Sequence, residues 1–170
     1  MANTYTLISS NILSSSAASV TFSSIPATYT DLVLKVSARS NGSSYTLVGK
    51  FNGTTANYSA TFLQSNGSTV SSSAGSAQAA AYLYGGVNLS TTTANTFASA
   101  EIYIPSYLSS ANKPYSTFAA NETNASAADM FAHANLWSNT SAITSIEFSL
   151  TGGNNFVSGS SFYLYGIKNS

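Results

Sequence analysis

A single histidine and five scattered carboxylates are the residues of this chain whose types could support acid–base or nucleophilic chemistry. A hydrolase triad needs a serine, an imidazole and a carboxylate that orients the ring. Serine is abundant here, and Asp129 lies four residues before His133. The segment reads as a strand, so Asp129, Phe131, His133, Asn135 and Trp137 project from one face. At roughly 3.3 Å per residue, Asp129 then stands about 13 Å from His133. That is too far to orient the imidazole unless the strand bends, and no Gly-x-Ser-x-Gly elbow is present. His133 is expected to be a structural histidine with its hydrogen bonds satisfied. One histidine also excludes a histidine-based metal site.

Glycoside cleavage needs two carboxyl groups facing each other across a cleft. Asp31, Glu101, Glu122, Asp129 and Glu147 are isolated in sequence and read as solvated groups or as partners of Lys and Arg. Gly152-Gly153 lacks the Lys and Ser/Thr of a phosphate loop, and the acidic residues never cluster as a calcium loop requires. No catalytic residue, cofactor or metal is therefore expected. The sequons Asn57-Tyr58-Ser59 and Asn121-Glu122-Thr123 follow from a composition rich in Asn, Ser and Thr.

The aromatic residues carry more information. Tyr82 and Tyr84, Tyr163 and Tyr165, and the pair Tyr103 and Tyr107 are candidates for a subunit interface or a platform that stacks on sugar rings. Core packing is the competing role, because Tyr combines large area with a hydrogen-bonding tip. Trp137 is expected to anchor a core or an interface.

The elements that must position these residues are strands. Period-two alternation recurs along the chain, and helical periodicity is almost absent. In Asp31 to Arg39, Leu32, Leu34, Val36 and Ala38 share one face while Lys35, Ser37 and Arg39 share the other. Further strands are expected over Tyr5 to Ser9, Ala18 to Ser23, Tyr45 to Phe51, Tyr58 to Gln64 and Ala80 to Tyr84. Later ones are Phe97 to Ile104, Tyr115 to Ala120, Met130 to Trp137, Ser145 to Leu150 and Ser161 to Ile167. Asn41-Gly42, Asn52-Gly53, Asn66-Gly67 and Gly152-Gly153-Asn154 supply the positive φ angles of tight hairpin turns. Pro26 and Pro105 flank strands rather than interrupt them. Ser14 to Ser19 and Ser68 to Ser76 read as loops or edge segments, and Ala74 to Ala81 as a loop entering a strand. Roughly ten short strands separated by turns predict a single all-β domain over 1–170. Its expected form is an antiparallel two-sheet sandwich, with a jelly roll as the specific topology. Residues 1–18 are expected to serve as an extended N-terminal arm.

Composition narrows the partners. At 170 residues a chain buries a real core without disulfide staples, and this one has no cysteine. Only 6% of residues are charged, with five basic residues (Lys35, Arg39, Lys50, Lys113 and Lys168) balancing five acidic ones. An average soluble domain is about 25% charged. No basic cluster exists to neutralise phosphates, which argues against nucleic acid and against an anionic membrane surface. A near-neutral surface rich in Ser, Thr and Asn does little to oppose self-association. With 44% hydrophobic and 12% aromatic residues, the chain is expected to fold rather than stay disordered. The N-terminus shows no basic region followed by an apolar run, so no secretory signal is expected, and no apolar stretch is long enough for a bilayer-spanning helix. Exoprotein-like composition without an export signal favours release by lysis, inside a virus particle.

Several ordered motifs carry a resemblance over nearly the whole chain. Tyr5-Thr6-Leu7-Ile8-Ser9-Ser10 leads to Ala18-Ser19-Val20-Thr21-Phe22-Ser23-Ser24-Ile25-Pro26 and to Tyr29-Thr30-Asp31-Leu32-Val33-Leu34. Phe51-Asn52-Gly53, Ile102-Tyr103-Ile104-Pro105-Ser106-Tyr107 and Ala142-Ile143-Thr144-Ser145-Ile146 follow. The chain closes on Ser161-Phe162-Tyr163-Leu164-Tyr165-Gly166-Ile167-Lys168. In this order the motifs resemble small virion structural proteins of tailed bacteriophages, many from aquatic hosts such as cyanobacteria. The resemblance implies a particle component with no catalytic residues, described in that group either as capsid decoration (cement) or as tail-associated.

The leading expectation is a capsid decoration protein on the outer capsid surface, with the major capsid protein as partner, clamping neighbouring capsomers. A homo-oligomer is expected, with a trimer suggested by the threefold positions of capsid shells. The alternative is a tail- or fibre-associated module that binds host-surface glycans through exposed Tyr.

Overall fold

Two antiparallel sheets of unequal width make up the fold. The computed structural model describes residues 5–43, 46–124 and 128–168. Twelve strands run through them: β1 (Thr6–Ile12), β2 (Ser19–Phe22), β3 (Asp31–Ala38), β4 (Thr46–Phe51), β5 (Tyr58–Ser65) and β6 (Val70–Gln78), followed by β7 (Ala81–Tyr84), β8 (Ala98–Ile104), β9 (Lys113–Ala120), β10 (Met130–Trp137), β11 (Ile146–Leu150) and β12 (Ser161–Ile167). A 3-10 turn at Thr151–Gly153 is the one helical element among the described residues. The large sheet has the order β1-β12-β3-β8-β9-β10-β5-β6, and the small one β2-β11-β4-β7. The all-β sandwich expected from period-two alternation is the architecture found.

Alternation explains why these segments pair. β8 buries Ala98, Ala100, Ile102 and Ile104 and exposes the residues between them, and β9 repeats the pattern with Lys113, Tyr115, Thr117 and Ala119. The inward residues of β3, β8, β11 and β12 form the centre of one core, including Leu32, Leu34, Ile102, Phe148, Phe162 and Leu164.

Most consecutive strands sit in opposite sheets, and this corrects one expectation. Asn52-Gly53 has both residues at positive φ, and Thr54 N–H donates to the Phe51 carbonyl at 3.0 Å. The turn is tight, yet it sends the chain from β4 in the small sheet to β5 in the large one. Asn41-Gly42 also lies between a large-sheet strand and a small-sheet one, β3 and β4, but against expectation neither residue takes positive φ. Of the Asn-Gly pairs only Asn66-Gly67 closes a hairpin, between β5 and β6.

Four strands cannot cover eight. Over β9, β10 and β5 the cover is reduced to β7 and the end of β4, and aromatic side chains fill the space. Phe51 of β4 meets Trp137 edge-on at 5.5 Å and Tyr115 at 5.2 Å, while Tyr58 stacks on Trp137. Tyr58 also accepts from Phe51 N–H at 2.8 Å, tying β5 back to β4. Such ring contacts add roughly 0.5–1.5 kcal/mol each beyond area burial. Phe62, Tyr84, Phe131 and His133 make a second cluster beside the first. Gly85, at φ +74, leaves room for it: a Cβ there would lie 2.3 Å from the Phe131 ring.

His133 departs from its expectation. It is buried as a structural residue, but neither ring nitrogen is satisfied by a protein partner in good geometry. Tyr115 OH, Asn135 Oδ1 and Trp137 Nε1, on the same inner faces, are in the same position. Buried groups of this kind are ordinarily bonded by internal water. Burial holds the His133 pKa down to about 4, against a weaker opposing effect of the Thr117 backbone.

Two further expectations change. The described part of the segment 1–18 lies along its own domain: β1 pairs with β12, and Ala17 and Phe156 exchange backbone bonds. Residues 1–4 of the expected arm, and Tyr45 of the expected fourth strand, lie outside the described residues. Ser68 to Ser76 falls mostly within β6, an edge strand that also takes in Ala74 to Gln78 of the expected loop. Its residues are exposed on both faces, so no alternation marked it.

Trp137→Ala should lower unfolding stability by about 3–5 kcal/mol, read as a fall in the urea midpoint. In wild type the unfolded state takes up a proton at His133 near pH 6.5 while the folded state does so near 4. Stability is therefore full above 6.5 and falls as pH drops to 4, by roughly 3 kcal/mol. His133→Phe should remove that loss when the two proteins are unfolded in parallel across this range.

Candidate interaction face

The exposed large hydrophobic residues of this molecule gather on the outer face of the eight-stranded sheet. Register places residues in rows across all eight strands. One row reads Ile12, Ser161, Ser37, Ser99, Ala120, Met130, Ser65 and Val70. The next reads Ser10, Tyr163, Lys35, Glu101, Phe118, Ala132, Leu63 and Ser72. A third reads Leu7, Tyr165, Val33, Tyr103, Ser116, Ala134, Thr61 and Ala74. These rows contain two charged residues, Lys35 and Glu101, and they bond each other. That bond, more than the opposing cost of its small burial, raises the Lys35 pKa.

A solvated sheet face usually alternates charge with polar residues. This one instead carries Tyr5, Leu7, Ile12, Leu63, Val70, Tyr103, Phe118 and Met130, eight of the nine large hydrophobic residues exposed among the described residues. Leu108 is the ninth. Three rows over eight strands span roughly 800 Å² at ordinary strand spacing, which is about what one partner contributes to a standard protein interface. Within that area the apolar residues gather at the two margins, with serines and the Lys35–Glu101 pair between them, and clusters of exposed apolar residues are a feature of interaction sites.

The face is also sculpted. A trough of about 460 Å³ runs between Phe118 and Tyr163, with Ser37, Ser99, Ala120 and Ser161 along it and the Lys35–Glu101 pair at its side. A depression of about 450 Å³ lies between β6, β5 and β10 over Thr61, Ala74 and Ala134. A smaller one, about 330 Å³, lies beside Tyr103 and Pro114.

The seven aromatic candidates divide. Tyr163 and Tyr165 stack with centroids 6.5 Å apart, Tyr5 meets Tyr165 edge-on at 6.2 Å, and Tyr103 stands two strands away in the same row. Tyr103 is held by its hydroxyl, which donates to Asp31 Oδ2 at 3.0 Å; burial first and Asp31 second raise its pKa. The other four are elsewhere. Trp137 and Tyr107 are fully buried, Tyr107 donating to the Pro26 carbonyl. Tyr84 is consumed by the second aromatic cluster, and Tyr82 lies opposite Val48 on the small sheet. Phe118 and Tyr5 were not singled out in the sequence. Phe118 was findable, because it falls out of phase with Tyr115, Thr117 and Ala119 on its own strand.

The groups that could do chemistry are engaged one by one. Asp129 accepts from Gln64 at 2.9 Å, and His133 lies on β10 with no carboxylate bonded to it. Asp31 holds Tyr103 and the Ser106 N–H, and Glu122 accepts from Asn124 N–H. Arg39 is caged by the carbonyls of Ser90, Thr92, Thr93 and Thr96. Lys113 is fully buried with its ammonium donating to the Ser109 and Ala111 carbonyls at 2.6 Å, and burial lowers its pKa. Among the described residues no group of His, Cys, Asp or Glu could hold a metal ion, and no helix is long and apolar enough to cross a membrane.

The Lys35–Glu101 pair is half exposed on both sides, so it contributes little to stability. The double variant Lys35→Gln/Glu101→Gln should unfold within about 1 kcal/mol of wild type, measured by chemical denaturation.

Compared with family models, curated proteins and solved structures, the chain matches none of them.

Proposed function

We propose that this chain is a non-enzymatic structural protein of a tailed-phage virion. In this reading it decorates the outer capsid surface and bridges neighbouring copies of the major capsid protein. The observation that carries the reading is the outer face of the eight-stranded sheet, which is broad, apolar at both margins and free of unpaired charge. A face of this kind suits docking onto another protein surface, where charges without partners would cost desolvation. Low charge over the whole chain supports the same reading, since many copies crowd together on a shell without repelling one another.

The strand order supports a jelly-roll topology for the sandwich. β1-β12-β3-β8 and β2-β11-β4-β7 make the two four-stranded halves of paired Greek keys, and the hairpins β5–β6 and β9–β10 are insertions that continue one half. On this reading the insertions are what widen the docking face.

A second reading has an observation of its own. The trough between Phe118 and Tyr163 pairs aromatic walls with serine hydroxyls and one ion pair, a chemistry that also fits a sugar ring. It would place the protein on the tail or fibres, bound to host-surface glycans.

Quantitative mass spectrometry of purified virions tests these readings together. Hundreds of copies at a simple ratio to the major capsid protein are expected. A few copies to some tens would move the protein to the tail and favour the glycan reading. Absence from the particle would end both. In the same particles, Phe118→Lys/Met130→Lys should reduce occupancy at least about tenfold, the effect of losing some 1.4 kcal/mol of binding. Occupancy equal to wild type would remove the outer face from the account.

A further inference from the structure

Of the four sheet edges, three are blunted in the ways that prevent strand-to-strand association. β2 and β7 are four residues long. β1 breaks register between Leu7 and Ser9. β6 is guarded by none of these devices over most of its length. From Val70 to Gly75 it pairs regularly with β5, and its irregularity comes only beyond, where Ala77 takes φ +51. Its sequence, VSSSAGSAQ, has no charge and no proline, and it terminates the sheet. The backbone groups on its far side therefore face outward along a regular run of six residues, a surface whose chemical complement is another strand.

We propose that this edge pairs antiparallel with the β6 edge of a second copy, joining two eight-stranded sheets through a twofold axis. Self-pairing suits the sequence. No like charges meet across the axis, and Ser, Ala and Gly side chains pack without collision. Pairing β6 to β1 instead would run head to tail into a filament, against an edge whose register is already broken. A twofold axis perpendicular to the sheet keeps each side chain on its own face, so some residue must stand opposite its own copy. Placing that residue at Ser72, one of the two central residues of the run, sets Ser71 opposite Ser73 and Val70 opposite Ala74. The trimer expectation rested on shell symmetry alone, whereas this edge builds a closed pair. The pairing leaves the outer face free, so it goes beyond the docking reading and stands or falls separately from it.

Because the chain has no cysteine, one introduced thiol can form a disulfide only between copies. Ser71→Cys, Ser72→Cys and Ser73→Cys are compared with Ser10→Cys on the β1 edge, under the same mild oxidant and with thermal unfolding as a check on the fold. Pairing raises the effective concentration of facing thiols, so Ser72→Cys should form covalent dimer at least about tenfold faster than Ser10→Cys. Adding Ala74→Lys to Ser72→Cys should return the rate to the control value. Coupling at all three β6 positions no faster than at Ser10→Cys overturns the proposal, as does a Ser72→Cys rate unchanged by Ala74→Lys.

Discussion

The constraint on which the rest of the structure depends is a mismatch of width: a four-stranded sheet must cover an eight-stranded one. Where Phe148 of β11 meets Phe162 of β12, aliphatic side chains such as Leu34, Ile102 and Leu164 complete the core. Toward β9, β10 and β5 the cover narrows to β7 and the end of β4, and large rings fill the space beneath them. Phe51 is the hinge of this arrangement. It sits at the end of β4, touches Tyr58, Tyr115 and Trp137, and receives the Tyr58 hydroxyl on its own backbone N–H. The unsatisfied nitrogens of His133 and Trp137 belong to the same solution, since rings chosen for bulk bring polar atoms with them. β6, at the far edge, sets Ser71, Ser73 and Gly75 on its inward side along the regular run and carries Val70, Ser72 and Ala74 outward.

Extending the sheet has a consequence on its other side. The four added strands roughly double the outer face of the sheet, and that face holds nearly all the large hydrophobic residues exposed among the described residues. The charged residues that might have solvated it are occupied elsewhere, with Arg39 bound by loop carbonyls and Lys113 buried. What remains is one self-neutralised pair between aromatic walls. Fold and surface thus share one cause, and the proposed docking role uses the surface that the mismatch creates.

Much of this was legible in the sequence wherever one face of a strand is buried and the other is not. β8, β9, β10 and β12 follow their alternation closely for that reason. β6 was illegible as a strand because pairing, rather than burial, defines it. Asn52-Gly53 and Asn66-Gly67 turn with glycine at positive φ as expected, Asn41-Gly42 does not, and positive φ in any case says nothing about whether the next strand stays in the sheet. The aromatic residues were the least legible. Tyr163 and Tyr107 are alike in sequence, but Tyr163 faces outward from β12 while Tyr107 leaves β8 on a loop that folds back beneath Pro26. The face itself appears only when the register aligns residues more than a hundred positions apart, as Ile12 with Ser161.

The central claim, that the outer face of the eight-stranded sheet is the docking surface, is tested most directly by hydroxyl-radical footprinting. Side-chain oxidation would be compared between free protein and protein bound to its particle. The account predicts that Met130, Phe118 and Tyr163 lose reactivity on the particle while Tyr82, on the small sheet, keeps it. Continued oxidation of Met130 and Phe118 with protection of Tyr82 would contradict the account and place the contact on the opposite side of the sandwich.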